Sequence, residues 1–200
     1  MQVRALAPTD APAYRAMRLR GLRLYPEAFT SSFEEETERS LADTEMRLAA
    51  DSAVRMWGAF AGTTNGGELA GVFGMERKTG LKNRHKAVLI GMVVAPEFTG
   101  QGIARALVEA VLQDAQRMGV ELAVLTVTVG NTRARELYAH AGFKSIGIEP
   151  DAIRVAGASF GKEHMARVIK PLDPLALSSS PASFIFNVNA GVTQHANRSS

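Results

Sequence analysis

The chain of 200 residues contains no cysteine, and this absence removes several kinds of chemistry. It excludes disulfides, metal sites built from thiolates, and any reaction that proceeds through a covalent cysteine intermediate. A protein without disulfides fits the cytoplasm, where we expect it to act. The four histidines are spread along the chain with no spacing that indicates a metal site, so we expect no bound metal.

Long apolar runs and a strong excess of one charge are missing as well. No stretch of about eighteen consecutive apolar residues is present, so we expect no membrane span. Residues 1–14 lack the apolar segment of a signal peptide. The formal net charge is only +3, which is too small to indicate a nucleic-acid partner. Composition therefore predicts a globular protein whose partner is neither a membrane nor a nucleic acid.

Periodicity and turn residues predict strands that alternate with helices. A helix with Asp10 as its N-cap is expected to run to Leu24, and Ser31 or Ser32 is expected to cap a short helix that follows. Further helices are predicted at Leu41–Asp51, Gly102–Met118 and Asn131–Ala141. The predicted strands are Gln2–Leu6, Val54–Ala61, Leu69–Arg77, Lys86–Val94, Leu122–Val129, Lys144–Ile148 and Met165–Lys170.

The stretch from Met92 to Leu107 reads as an apolar strand, a loop with two glycines, and the start of a helix. Gly100 and Gly102 allow a tight turn and a close approach of the backbone to a ligand, because neither has a Cβ atom. The first carboxylate of the helix is Glu109, so no acidic side chain offsets the positive end of the helix dipole. Free N–H groups at such a helix start bind anions, which predicts a phosphate site.

A second stretch, from Asn131 to Phe143, predicts a short amphipathic helix with Asn131 as its N-cap and Gly142 at its end. Its apolar face contains Ala134, Leu137, Tyr138 and Ala141. Considered alone, Tyr138 would be a core residue with its hydroxyl bound to a carbonyl group. A glycine loop before a helix is also common in proteins that bind no phosphate, so neither stretch decides the function by itself.

Together, the two stretches resemble the signatures of the GNAT superfamily of acetyl-CoA-dependent N-acetyltransferases. The cofactor loop of that family begins with Arg or Gln and continues x-x-G-x-G or x-x-G-x-A, and residues 99–104 read TGQGIA. The later family signature N-x-x-A-x-x-L-Y-x-x-x-G-F is matched at every defined position by residues 131–143. The resemblance covers Val54 to Phe143, and more loosely Arg4–Glu36 and Met165–Lys170.

The resemblance implies an α/β (α+β) fold: a mixed, mostly antiparallel central sheet of about six to seven strands with helices on both faces. We expect residues 1–171 to form this domain. Residues 172–200 contain Ser and Pro in the proportion of a linker, and we expect a poorly ordered tail there. The protein would act as a monomer or a homodimer.

The resemblance also implies that acetyl-CoA is the cofactor and acetyl donor. The expected cofactor-binding residues are Met92, Val93, Val94, Thr99, Gly100, Gln101, Gly102, Ile103, Ala104, Arg105 and Asn131. The N–H of Val93 or Val94 would stabilise negative charge on the acetyl carbonyl oxygen. Tyr138 would be the catalytic residue that protonates the departing thiolate, because the pKa of a phenol lies above that of a thiol. The general base stays open among Glu34, Glu35, Glu36, Glu76 and His85, or a water relay.

The implied activity is direct transfer of the acetyl group to a primary amine, and we expect a small-molecule amine. In this family the first helices wall the acceptor site, and the segment from Glu27 to Asp51 is strongly acidic. We therefore expect Ser32, Phe33, Glu34 and Glu35 to face a cationic acceptor. A protein N-terminus or lysine as acceptor, or a non-catalytic sensor that binds acyl-CoA, remain alternatives.

One departure from the family pattern generates a prediction. Thr99 stands where the cofactor loop normally has Arg or Gln. Its hydroxyl brings no charge, although the loop amides can bind pyrophosphate without a side chain. We expect the Thr99→Arg variant to bind coenzyme A more tightly than the wild-type protein, measured by isothermal titration calorimetry. An affinity that is unchanged or weaker would contradict this assignment of the loop.

Overall fold

The computed structural model describes residues 1–62 and 67–169. Within them, seven strands form one sheet in the order β1-β2-β3-β4-β5-β7-β6. The strands are β1 (Gln2–Ala5), β2 (Val54–Ala61), β3 (Glu68–Arg77), β4 (Lys86–Val94), β5 (Leu122–Thr128), β6 (Lys144–Val155) and β7 (Ala158–Val168). Neighbouring strands are antiparallel except for β4 and β5, which are parallel. The predicted mixed, mostly antiparallel sheet is confirmed.

Helices cover both faces of this sheet. They are α1 (Ala11–Leu24), α2 (Phe33–Glu38), α3 (Leu41–Arg47), α4 (Ile103–Arg117) and α5 (Thr132–His140). One core cluster packs the buried face of α4 against β3, β4 and β5, and the other packs α1 against β2, β3 and β4. The buried positions of α4 recur at helical spacing, at Ile103, Leu107, Val108, Val111, Leu112 and Ala115. Burial of these apolar side chains holds the helices on the sheet.

The sheet opens between β4 and β5. The two strands pair over only three positions, from Lys86 with Leu122 to Val88 with Val124. Beyond that point β4 carries a bulge, because Ile90 pairs with Gly74 and Val93 pairs with Val72, which leaves two residues of β4 opposite one of β3. Gly91 lies in the bulge with φ of 69°, a conformation that favours glycine. The carboxyl-terminal half of β4 therefore has no hydrogen-bonded neighbour on its β5 side.

The prediction of short last strands at Lys144–Ile148 and Met165–Lys170 is wrong in extent. The structure has a long hairpin in which β6 has 12 residues and β7 has 11. Pro150 indicates a break in the sequence, but it lies in a bulge of an edge strand, where proline is tolerated because no ladder hydrogen bond is lost. Ala156 and Gly157, both with positive φ, form the two-residue turn at the tip.

Other predicted boundaries differ little from the structure. The helix predicted at Leu41–Asp51 ends at Arg47, and Ser32 is the N-cap of α2. The predicted tail and the end of the predicted domain at residues 170–171 lie outside the described residues. In the described part of the chain, no helix is long and apolar enough to span a membrane. Those residues also include no group of three or more His, Asp or Glu side chains suited to a metal ion.

The contact of α1 with β4 can be tested at Gly21. A Cβ atom at this position would lie 2.7 Å from a methyl carbon of Val93, which is closer than carbon atoms can pack. We expect Gly21→Ala to lower the free energy of unfolding by about 1–2 kcal/mol, because overpacking outweighs the gain in helix propensity. In a Val93→Ala background, Gly21→Ala should lower the free energy of unfolding by less, because the methyl carbons that the new Cβ atom would meet are gone. An equal cost in both backgrounds, measured by urea unfolding, would contradict direct contact.

Candidate active site

A cleft of about 940 Å³ extends from the opening between β4 and β5. One end lies at the loop before α4, and the other lies among α1, α2, α3 and the turn at Pro26–Ala28. Every predicted cofactor-binding residue except Gln101 lines this cleft, and so does Tyr138. The side chain of Gln101 is turned away and donates to the carbonyl oxygen of Glu97 at 3.3 Å. The strand opening therefore brings both sequence motifs to one site.

The loop end of the cleft has the shape of an anion cradle. Gly100 and Gly102 have φ of 83° and 78°, and a Cβ atom at either position would meet no atom within 4 Å. Gly102 is the N-cap of α4, no side chain caps the helix, and its first turn contains no acidic residue. The first amides of a helix have no intrahelical acceptor, so these N–H groups are available to a phosphate. The residues present thus fit the pyrophosphate of acetyl-CoA.

The side chains around this loop add little charge to it. The amide of Thr99 is already bonded to the carbonyl oxygen of Pro96 at 3.1 Å, and the Thr99 side chain is exposed at the cleft. Arg105 lines the cleft, but its guanidinium is 81% exposed and pairs with Glu109 at 3.0 Å. An ion pair this exposed contributes little to stability and can be broken at little cost. The groups at this end that are available to an anion are therefore mainly backbone amides.

The unpaired half of β4 forms one wall of the cleft. The amide of Ala95 donates to the carbonyl oxygen of Ala70, which fixes the side of the strand that faces β3. Successive residues of an antiparallel strand turn their N–H and C=O groups to opposite sides. The backbone groups of Val94 are therefore directed toward the opening. Of the two predicted donors, Val94 is better oriented than Val93, whose side chain is buried beneath α1.

Tyr138 combines a buried ring with a free hydroxyl. The residue is 6% exposed, and its ring packs against Phe73 at 6.0 Å and against Phe143 at 5.9 Å between ring centroids. Within the described residues its hydroxyl has no hydrogen-bond partner, and it is not among the fully enclosed polar atoms. The hydroxyl therefore faces the cleft. Burial raises the pKa of the Tyr138 phenol, so it keeps its proton at neutral pH.

Asn131 begins the helix that carries Tyr138. Its side-chain oxygen accepts from the amide of Ala134 at 3.1 Å, as an N-cap does. This bond occupies the side-chain oxygen and leaves the amide group of the side chain free to face the cleft that Asn131 lines. The cap thus fixes the start of α5, and with it the position of Tyr138.

The end of the cleft among α1, α2, α3 and the Pro26–Ala28 turn, named the acceptor end after the expectation from the sequence, has a different lining from the one expected. Ser32 and Glu35 bind each other in a capping box, and Ser32, Phe33 and Glu34 line a separate cavity of about 500 Å³ beside the tip of the β6–β7 hairpin. None of the four predicted acceptor residues lines the large cleft. The side chains that occupy that place are Tyr14, Arg18, Tyr25, Phe29, Glu36, Arg39 and Arg47.

The turn at Pro26–Ala28 is held against the sheet by a buried lysine. Lys162 of β7 is 3% exposed and donates to the carbonyl oxygen of Glu27 at 3.0 Å and to the Thr128 hydroxyl at 2.8 Å. Thr128 itself donates to the same carbonyl at 2.6 Å. Burial lowers the pKa of the Lys162 ammonium. These bonds connect residues more than one hundred positions apart and fix the wall of the acceptor end.

Comparisons with known proteins agree with this geometry. The acetyltransferase (GNAT) family model matches residues 20–143. The chain belongs to the GNAT family. An acetyltransferase of this family from Streptococcus pneumoniae has the same fold, with a TM-score of 0.74 and 23% identity over 84% of this chain and 98% of that chain. Comparison with curated proteins finds no match.

Two further solved structures share the fold. One is a GCN5-related N-acetyltransferase from Kribbella flavida, with a TM-score of 0.69 and 23% identity over 84% of this chain and 96% of that one. The other is a putative acetyltransferase from Salmonella typhimurium with its cofactor acetyl-CoA, with a TM-score of 0.71 and 17% identity over 86% and 96% of the two chains. The protein is an acetyl-CoA-dependent N-acetyltransferase.

The side chains at the acceptor end of this GNAT protein were not predicted from its sequence. Tyr14 and Arg18 lie four residues apart on one face of α1, and this spacing was the only signal for them. Glu36 was one of several candidate bases, and nothing in the sequence distinguishes it from its acidic neighbours. Lys162 and Thr128 are positioned by long-range contacts that no local pattern indicates.

The GNAT cofactor loop gives a prediction with an internal control. Gly102 and Gly119 lie at the two ends of α4 with φ of 78° and 76°, and a Cβ atom at either would meet no atom within 4 Å. Replacement of either glycine by alanine should therefore introduce the same backbone strain and lower the free energy of unfolding by about 1–2 kcal/mol. We expect Gly102→Ala to weaken coenzyme A binding at least about tenfold and Gly119→Ala to leave it unchanged, because only Gly102 lines the cleft.

Calorimetric titration at a temperature where both variants are folded measures the two affinities, and thermal unfolding checks that the stability losses match. Equal weakening of binding in both variants would show that backbone strain, rather than the shape of the cradle, controls affinity.

Proposed function

We propose that this protein acetylates a small-molecule primary amine, which binds at the end of the cleft walled by α1, α2, α3 and the Pro26–Ala28 turn. The observation that carries this proposal is the single continuous cleft that joins the bare start of α4, Tyr138 and this walled end. Its volume is that of a small-ligand pocket, which suits a cofactor arm and a compact acceptor better than a folded protein surface.

The chain supplies the binding groups, and bound acetyl-CoA supplies the thioester whose carbonyl carbon accepts the amine. The amides at Gly100 and at the start of α4 are proposed to hold the pyrophosphate. Backbone groups of Met92 and Val94 and the side-chain amide of Asn131 are proposed to hold the pantetheine arm. These contacts fix the distance from the loop to the reacting carbonyl, and holding reactants in place is itself a large contribution to rate.

The N–H of Val94 is proposed to stabilise the reacting carbonyl oxygen. It faces the strand opening and belongs to a rigid strand, so it needs no reorganisation when negative charge develops. The bulge at Gly91 and Met92 rotates this part of β4 away from regular pairing. Without this extra residue, the alternation of the strand would turn the N–H of Val94 toward β3 instead of toward the opening.

Tyr138 is proposed as the donor to the departing thiolate. Because burial raises its pKa further above that of a thiol, complete proton transfer from the phenol to the thiolate is uphill. The phenol is therefore first a hydrogen-bond donor that lowers the energy of the developing negative charge. As the bond between carbon and sulfur breaks, the proton that a base has taken from the attacking nitrogen passes on to the thiolate, which leaves as a thiol. This refines the simple acid role expected from the sequence.

A carboxylate in the cleft is proposed to receive the proton of the amine, directly or through water. Of the five candidate bases, only Glu36 and Glu76 line the cleft. Glu76 is bonded to Lys78 at 2.9 Å, whereas Glu36 is 8% exposed at the acceptor end. Glu36 is therefore the better placed base for an amine held among α1 to α3.

Tyr138→Phe tests the catalytic assignment. Phenylalanine keeps the ring that packs between Phe73 and Phe143, so the fold and the affinity for acetyl-CoA should change little. We expect kcat to fall about a hundredfold or more, because the donor to the leaving group is lost. Thiol release measures kcat, and calorimetry measures the affinity for acetyl-CoA. An unchanged kcat would contradict the catalytic assignment and show that Tyr138 has only a structural role.

The acceptor class is tested in the same assay. A panel of small amines and peptides with free N-termini and lysines is compared by kcat/KM, with acetylated products identified by mass spectrometry. We expect small amines to be preferred. Preference for peptides would favour the protein-directed alternative, and acetyl-CoA binding without turnover on any amine would favour the non-catalytic sensor.

A further inference from the structure

Arg18 is a buried cation without a hydrogen bond. It lies on α1 at the acceptor end of the cleft and is 8% exposed. None of its five N–H donors has an acceptor within the described residues. Nη1 is fully enclosed, whereas Nε and Nη2 are not, so these two are the donors that a ligand in the cleft can reach. The nearest carboxylate oxygen, from Glu36, lies 3.8 Å from Nε, beyond hydrogen-bonding distance. Buried guanidinium groups are almost always hydrogen-bonded, so an acceptor is missing at this position.

The surroundings hold the Arg18 side chain in place. Its guanidinium lies 4.5 Å above the ring of Phe29, a stacking contact that keeps the planar group in one orientation. Phe29 is in turn held by the Pro26–Ala28 turn that Lys162 binds. Arg18 is thus a preorganised donor rather than a mobile surface side chain, and preorganisation favours binding of a matching anion.

The charge around Arg18 is positive. Arg39 and Arg47 line the same end of the cleft, and neither has an ion pair within the described residues. The positive charge of both arginines acts on Arg18 and, together with burial as the largest cause, lowers the pKa of its guanidinium. Glu36 is the one carboxylate that acts on Arg18 in the described structure. The cationic side chains Arg18, Arg39, Arg47 and Lys162 line this part of the cleft together with Glu27, Glu36 and Glu76, so the cations outnumber the carboxylates by one.

The position of Arg18 relates it to the reacting groups. Gly21, three residues further along α1, lies directly on Val93. Arg18 is three residues, about 4.5 Å along the helix axis, from that contact. Val94, the proposed donor to the carbonyl oxygen, is the next residue of β4. An anion on Arg18 would therefore belong to the acceptor molecule, beside the amine that reacts, and not to the phosphates at the far end of the cleft.

We propose that Arg18 binds an anionic group of the acceptor, so that the substrate is a small primary amine that also carries a carboxylate, as an amino acid does. This inference rests on the proposed function and names its substrate class. A planar guanidinium and a carboxylate form two parallel hydrogen bonds, and here these would come from Nε and Nη2 of Arg18, which now have no acceptor. The positive charges of Arg39 and Arg47, which line the same end of the cleft, would also attract the carboxylate. The cationic acceptor expected from the acidic segment at residues 27–51 is replaced by an amine with an acidic group.

Matched pairs of amines test this proposal. Each pair consists of an amino acid and the same amine without its carboxylate: phenylalanine with 2-phenylethylamine, and methionine with 3-(methylthio)propylamine. We expect the amino acid of at least one pair to have a kcat/KM at least about tenfold higher, because its carboxylate makes charge-assisted hydrogen bonds to Arg18. Equal or better use of the amines without a carboxylate would overturn the proposal.

Arg18→Met and Arg23→Met form a matched pair of variants. Arg23 lies on the same helix and stacks 4.5 Å above the ring of Phe33, but it lines only the separate, smaller cavity. We expect Arg18→Met to reduce the preference within each pair to about one, mainly through a higher KM for the amino acid. Arg23→Met should keep the preference. A general loss of folding would lower both members of a pair equally, so the ratio distinguishes recognition from stability.

A binding measurement separates this proposal from the proposed function. The complex of wild-type protein with coenzyme A is titrated with the N-acetyl amino acids by calorimetry, and the same titration is made with Arg18→Met. If no amine is acetylated but carboxylate binding is present in the wild type and lost in the variant, the proposed function fails, and the inference that Arg18 binds a carboxylate stands without it. If the carboxylates do not bind, or if Arg18→Met instead weakens coenzyme A, Arg18 does not bind the acceptor and the inference is overturned.

Discussion

The active site depends on the interrupted pairing of β4 and β5. A buried backbone group without a partner is costly, so a sheet does not open in its centre unless something else bonds to the exposed edge. Three paired positions keep the strands together at one end, and the bulge at Gly91 turns β4 away at the other. The free edge of β4 can then bond to a cofactor arm that has amide groups of its own. The phosphate loop and Tyr138 are arranged around that opening.

The acceptor end depends on contacts between distant parts of the chain. Lys162 and Thr128 bond to the carbonyl oxygen of Glu27, and the tip of the β6–β7 hairpin packs beside the same segment. The segment between α1 and α2 is therefore held between the sheet and the hairpin. A lysine serves this purpose because its long stem packs against apolar neighbours while its ammonium donates to two oxygens. Loss of this link would release Phe29, and with it the ring that orients Arg18.

Most of the fold could be predicted from the sequence wherever an element depends on residues that are near one another in the chain. The bounds of β2 and β4 and the capping box at Ser32 and Glu35 follow from periodicity and from hydrogen bonds three residues apart. The bulge in β4 was missed because Gly91 lies within an apolar run that indicates a regular strand. The length of β6 was missed because Pro150 indicates a turn when the partner strand is unknown. The residues predicted to bind the cofactor line the cleft, with the exception of Gln101, but the side chains at its other end were not predicted.

The acceptor end was missed because charge was counted along the chain rather than in the cleft. The segment at residues 27–51 is acidic, yet Glu35 and Asp43 each bond to the serine that caps their own helix, at Ser32 and Ser40. Those carboxylates stabilise helix starts and contribute little to the field in the cleft. Arginines from α1, from the residue after α2 and from the end of α3 converge there instead. A ligand in the cleft interacts with the side chains that line it, and these include Arg39 and Arg47, which have no ion pair within the described residues, as well as Glu27 and Glu36.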